Sequence, residues 1–176
     1  MTTAADIVDL VEATLLKTGA TDAGNRVYRP GDWPAQPDSY PLIKLRVVSE
    51  TKQSITRSGS VQFTTTLMLR ILGEVSAPVS LDDPAGTSAA EAALLELSRQ
   101  IEVAVIGSYP LQQRVQQIAS VSTRFAFDAE GATHLAGIQK DLAIEFYQGA
   151  EDFAQPDTDD LDRATIGDHL DLDLAQ

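Results

Sequence analysis

The chain contains no cysteine, which excludes disulfide stapling and zinc–thiolate sites while leaving the compartment open. Histidine is nearly absent too: His134 and His169 are the only two, so there is little material for a nucleophile with an adjacent base. Positive charge is scarce, with 13 Lys and Arg against 26 Asp and Glu and a net charge of −13. Nucleic-acid affinity depends on clustered cations that neutralise phosphates, so this balance argues against a general nucleic-acid surface. No apolar run approaches the roughly 20 residues that span a bilayer. Residues 1–16 scatter acids among apolar positions without a basic leader, so no signal peptide is expected.

What remains is 176 residues with 43% hydrophobic content, enough for one domain with a real core and short for two. The charge divides the chain. From Glu151 onward nine acids stand against Arg163 alone, so −8 of the −13 lies there and −5 in the rest. We expect one domain over residues 1–149 and an acidic extension over 150–176. Self-repulsion and few large apolar residues favour a free extension. Ile166, Leu170, Leu172 and Leu174 leave open a docked arm on a neighbour or an edge strand.

The domain is organised around residues 42–73. Ile43, Leu45 and Val47 alternate with Lys44 and Arg46, and the alternation resumes with Val61, Phe63, Thr65, Leu67, Leu69 and Ile71. A period of two buries one face of a strand and wets the other. The intervening polar residues 49–60, with Gly59 suited to a left-handed turn, predict a protruding loop between two long antiparallel strands. Upstream, Ile7, Leu10, Val11 and Leu15 recur at helical spacing over residues 3–17. Thr3 and Asp6 form a capping-box-like start, and Gly19 suits a left-handed end. Residues 26–28 predict a short strand. Four prolines over residues 29–41 exclude a helix or an interior strand there.

Ser88 and Glu91 predict a second capped helix with Leu94, Leu97, Ile101 and Val105 buried, Ala90, Ala93 and Ala104 permitting close approach, and Gly107 and Pro110 ending it. Residues 116–147 predict a second hairpin. Val121, Thr123, Phe125 and Phe127 alternate with Ser120, Ser122, Arg124 and Ala126 on the outgoing strand, residues 128–131 turn, and Leu142, Ile144 and Phe146 share one face of the return, with Ala143, Glu145 and Tyr147 on the other. The expected class is α+β: a mostly antiparallel sheet, with two helices on one face.

Chemistry is hard to find. Phosphate-binding glycine loops, dinucleotide fingerprints and metalloprotease motifs are all missing. Asp168, His169, Asp171 and Asp173 superficially offer metal ligands, yet the bend glycine and terminal glutamate of an EF-hand are missing. We expect no enzyme, cofactor or metal. Lys52 and Arg57 in the central loop, and Arg26 and Arg29 beside the first strand, are either solvated charges or contacts to an acidic partner. Trp33 either pins its proline-rich loop onto the sheet or anchors a partner.

The order of these elements carries a resemblance. An amphipathic helix ending near a glycine is followed by VYRPGDWPAQPDSYPLIKLRVVSE, then by the long strand TTTLMLRILGEV, a helix, and a closing hairpin, SVSTRFAFDAEG with LAIEFYQ. Over residues 3–148 this pattern resembles the tail terminator (tail completion) proteins of long-tailed, lambda-like bacteriophages. The acidic extension departs from the compact members. The resemblance implies a hexameric ring on the last ring of the tail tube protein. That ring would stop polymerisation and dock the head–tail connector, with DNA passing through the lumen without specific binding. It implies a structural protein of the virion tail or neck, present in the host cytoplasm during assembly. In that setting Lys52, Gln53, Ile55 and Arg57 at the hairpin tip would face the tube or the adjacent subunit. The alternatives are another head–tail joining protein, a cytoplasmic α+β binding module, or a hydrolase with a metal site in the acidic extension.

Overall fold

The structure, a computed structural model, describes residues 2–30, 40–57, 59, 61–78, 86–128 and 133–154. Helix α1 (Ala4–Leu15) starts as its sequence predicts: Thr3 Oγ1 accepts from the Asp6 amide at 3.2 Å, and Asp6 Oδ2 accepts from the Thr3 amide at 2.8 Å. Ile7, Val8, Val11, Thr14 and Leu15 are buried. The helix ends at Leu16, and Gly19 takes its left-handed conformation (φ +75°) in the turn beyond.

The remaining elements are β1 (Val27–Tyr28), β2 (Leu42–Ser54), β3 (Phe63–Pro78), α2 (Gly86–Ile106), α3 (Tyr109–Gln112), β4 (Gln117–Asp128), β5 (Thr133–Gln148) and a 3₁₀ turn (Ala150–Phe153). The sheet order is β1-β2-β3-β5-β4. The β1–β2 pair is parallel and every other pair is antiparallel, so the fold is α+β. The long strands β3 and β5 pair along their whole lengths and form the spine.

One face of that spine is the core. Leu67, Leu69, Ile71 and Val75 of β3 share it with Ile138, Leu142, Ile144 and Phe146 of β5, since directly paired residues project to the same side. Helix α2 lies across β3 and β5, and α1 packs on β2, α2 and α3. The buried pair Thr14 Oγ1 and Ser108 Oγ, 2.9 Å apart, ties the end of α1 to the start of α3.

Three expectations are corrected. Helix α2 begins at Gly86, so Ser88 is its third residue rather than its cap; first-turn N–H groups lack intrahelical acceptors whichever residue sits there. Of the three alanines expected against the sheet, Ala90 is buried and Ala104 packs partly buried against the core, while Ala93 is exposed. The sheet side adds to the close approach, where Gly73 makes room for Leu97. Residues 49–54 belong to β2 rather than to a loop, so the hairpin strands run further and the tip is short. The turn over residues 128–131 lies almost wholly outside the described residues.

Candidate interaction surfaces

The far half of β2 is one of two exposed strand stretches among the described residues, the other being β4. A bulge between Val47 and Ser49 shifts the register by one, so Glu50, Lys52 and Ser54 take over the helix-side face from Ile43, Leu45 and Val47. Every residue of β2 from Arg46 to Ser54 is exposed. β1 covers the outer edge of β2 only at Ile43 and Lys44, so among the described residues the edge beyond is open. The signal was present in the sequence: Val47-Val48 breaks the alternation, and one extra residue in a strand does that. At the tip, the Ile55 amide donates to the Gln62 carbonyl at 3.0 Å, and Gly59 is left-handed (φ +79°) as expected. Ile55 is 52% exposed, and Arg57 is exposed beside it.

The six predicted interface residues that lie among the described ones do not form a single surface. Gln53 is exposed on the open-face side of β2, opposite Thr64. Lys52 lies on the helix side, where its ammonium pairs with Glu50, hydrogen-bonds Gln148 and Thr65, and stands 5.9 Å from the Phe153 ring centroid. Arg26 donates to the carbonyls of Pro41 (2.7 Å) and Asp22 (3.1 Å), stapling the turn before β1 to the start of β2. Arg29 holds Asp9 at 2.5 Å and Glu12 at 2.6 Å, bracing the end of β1 on α1. Burial works against its charge, but hydrogen bonds to the two acids raise the guanidinium above its ordinary pKa. Both arginines are thus engaged within the chain. Trp33 lies outside the described residues.

The second surface is the sheet face away from the helices. It is polar and laced by ion pairs: Lys44 with Glu74 at 2.7 Å, and Arg70 with Asp141. Arg70 grips both carboxylate oxygens, Nε to Oδ1 at 2.7 Å and Nη2 to Oδ2 at 3.0 Å. Those hydrogen bonds hold the Asp141 carboxyl below its ordinary range, with Gln139 assisting against a small cost of burial. The face dips where Gly137 and Ala126 carry little side chain, a concavity of about 380 Å³ bordered by Leu72, Glu74, Arg124 and Gln139.

The third surface is β4. Its alternating row pairs with core residues: Val121 with Leu142, Thr123 with Lys140, Phe125 with Ile138 and Phe127 with Ala136. The row therefore lies on the helix side, but it is not buried: Phe125 is 43% exposed and Phe127 52%. Helix α2 covers β3 and β5 and stops short of this edge.

Among the described residues no group of three His, Cys, Asp or Glu side chains could hold a metal ion. His134 falls in β5, with its side chain outside the described set; His169 and its neighbouring acids lie outside it altogether. No described helix is long and apolar enough to cross a membrane. No protein-family model matches the chain, and no curated protein matches it significantly.

Proposed function

We propose that this chain is a structural subunit that works by assembly: a ring on the end of a phage tail tube that halts tube growth and presents a docking surface to the head connector. The reading rests on one observation, the outer edge of β2 from Arg46 to Ser54, which is open among the described residues. A strand of this length left unpaired is a template for another chain. Engaging a different surface on the next subunit would make a heterologous contact, which closes into a ring when the rotation permits. The polar face of the sheet supplies a second, chemically distinct surface for an axial neighbour. The order of elements, which resembles that of tail terminators, is what supports a tail tube and a connector as the neighbours. The location that follows is the virion tail or neck.

The test is the mass of the purified protein alone and mixed with tail tubes, followed by negative-stain images of the mixture. The expected result is a sixfold particle seated on tube ends. Persistently monomeric protein that leaves tubes bare and still growing would sink the reading.

A further inference from the structure

We propose that β4 of one copy pairs antiparallel with the open stretch Arg46–Ser54 of β2 of the next, and that its exposed row seats against that copy's α1. The inference rests on the assembly half of the reading above, a second copy as neighbour, and names the surface that meets the β2 edge. β4 is paired only with β5 among the described residues, and its twelve residues contain neither lysine nor proline, two of the usual guards of an edge. The two open edges thus lie on opposite sides of one sheet.

Direction and height both suit this joint. β2, β3, β5 and β4 alternate in direction, so a copy placed alongside without inversion brings its β2 antiparallel to β4. Rotation about an axis along the strands is such a placement, and repeated it makes a ring. Across the sheet Val47 stands in line with Leu69, Leu142 and Val121, and Leu45 with Ile71, Lys140 and Thr123. Rotation preserves height, so Val121 arrives beside Val47 of the next copy.

The exposed row is then covered by a helix, while the added strand only completes the sheet. Helix α1 packs on β2 and α2 on β3 and β5, which leaves β4 bare. Four strands about 4.8 Å apart and two helices about 10 Å apart both repeat every 20 Å or so, so the layers stay in step from copy to copy. Bare β4 falls between its own α2 and the next copy's α1. The outer flank of that α1 has room: Ala4, Ala5 and Val8 face Leu45 and Val47 across a groove of about 420 Å³. Val121 and Phe125 project to this side of the sheet. Two β4 edges joined to each other would instead set two bare strands together with no helix over either.

The contact is also large enough. Arg46–Ser54 runs about 30 Å, and a sheet with one helix layer is about 20 Å deep, which gives on the order of 600 Å² per partner against roughly 800 Å² in a stable interface. A ring makes two such contacts per copy.

The absence of native cysteine makes the test clean. Full-length Val47→Cys and Val121→Cys chains, one carrying a size tag, are mixed under mild oxidation, at high concentration and on tail tubes. A covalent heterodimer should form, whereas neither chain alone should cross-link. Thr123→Cys in place of Val121→Cys covers a slip of two residues, and Ser122→Cys, on the opposite face, should not close. Phe125→Lys, a guard lysine on the edge, should weaken self-association about tenfold by sedimentation with the thermal midpoint within a few degrees of native. Dimers of Val121→Cys alone would assign the edge to a β4–β4 pair and overturn the proposal. So would the absence of any heterodimer in both settings. Rings on tube ends without the cross-link would remove this joint and leave the tail-cap reading standing; cross-linked copies that ignore tubes would do the reverse.

Discussion

Leu97 of α2 occupies the space that a side chain on Gly73 of β3 would take: a Cβ there would stand 3.1 Å from Leu97 Cδ2 and 3.5 Å from Ile101 Cδ1. Helix and sheet meet over a missing methyl group. Gly73→Val should therefore cost about 2 kcal/mol by overpacking, read as a lower urea midpoint with an unchanged slope. Gly73→Ala should cost distinctly less, because Leu97 can yield a few tenths of an ångström. Equal stability of the valine variant and the native chain would mean that the helix is not seated here.

Lys140 is the largest polar side chain in the core, 1% exposed, with its ammonium on Glu102 of α2 and 3.1 Å from Thr123 Oγ1. A buried cation needs its partners more than the fold needs the cation. Glu102→Gln should thus destabilise by about 1 kcal/mol, a modest figure because Glu102 is itself half open to water. Lys140→Met should fall within about 1 kcal/mol of the native chain, since it keeps the volume and removes the charge. Equilibrium urea unfolding of both variants decides it. A methionine variant much weaker than the glutamine variant would contradict the argument.

Arg70 holds Asp141 below the 3.8 of an ordinary aspartate. The unfolded chain therefore takes up this proton at higher pH than the native one. The stabilisation is complete above the unfolded value and drains away as pH falls through the folded value. Between about pH 6 and about pH 2, Asp141→Asn should show a shallower loss of stability than the native chain. Parallel curves would remove the ion pair from the acid-unfolding account.

At the hairpin tip Ile55 and Arg57 are exposed, in a turn where the Ile55 amide donates to the Gln62 carbonyl and Ser54 Oγ to the Thr56 carbonyl. Under the tail-cap reading, Ile55→Asp with Arg57→Asp should abolish tube binding. Its thermal midpoint should stay within a few degrees of the native value, because surface changes away from packed sites cost little. Tube binding at native strength would free the tip from any role in assembly.

These residues also mark what was legible in the chain. Thr3 and Asp6 announced the start of α1, and the alternations of Leu67 to Ile71 and Leu142 to Phe146 placed the two spine strands on the right faces. Gly59 marked its left-handed turn. Each of these is set by neighbours a few positions away. The extent of β2 was not legible, because SETKQS reads as polar loop; pairing with Thr64, Thr65 and Thr66 of β3 makes it strand. Arg26 and Arg29 looked like free charges only because Pro41, Asp9 and Glu12, which engage them, are remote in sequence.

The sequence by itself determined the α+β class, the capped start of α1 and which side of each strand is apolar, since capping and side-chain period are local properties of a chain. Only the tertiary structure decided which apolar sides are covered. The same alternation buries Leu142 and Phe146 under α2 and leaves Phe125 and Phe127 in water, because one helix is wide enough to shield β3 and β5 but not the edge beside them.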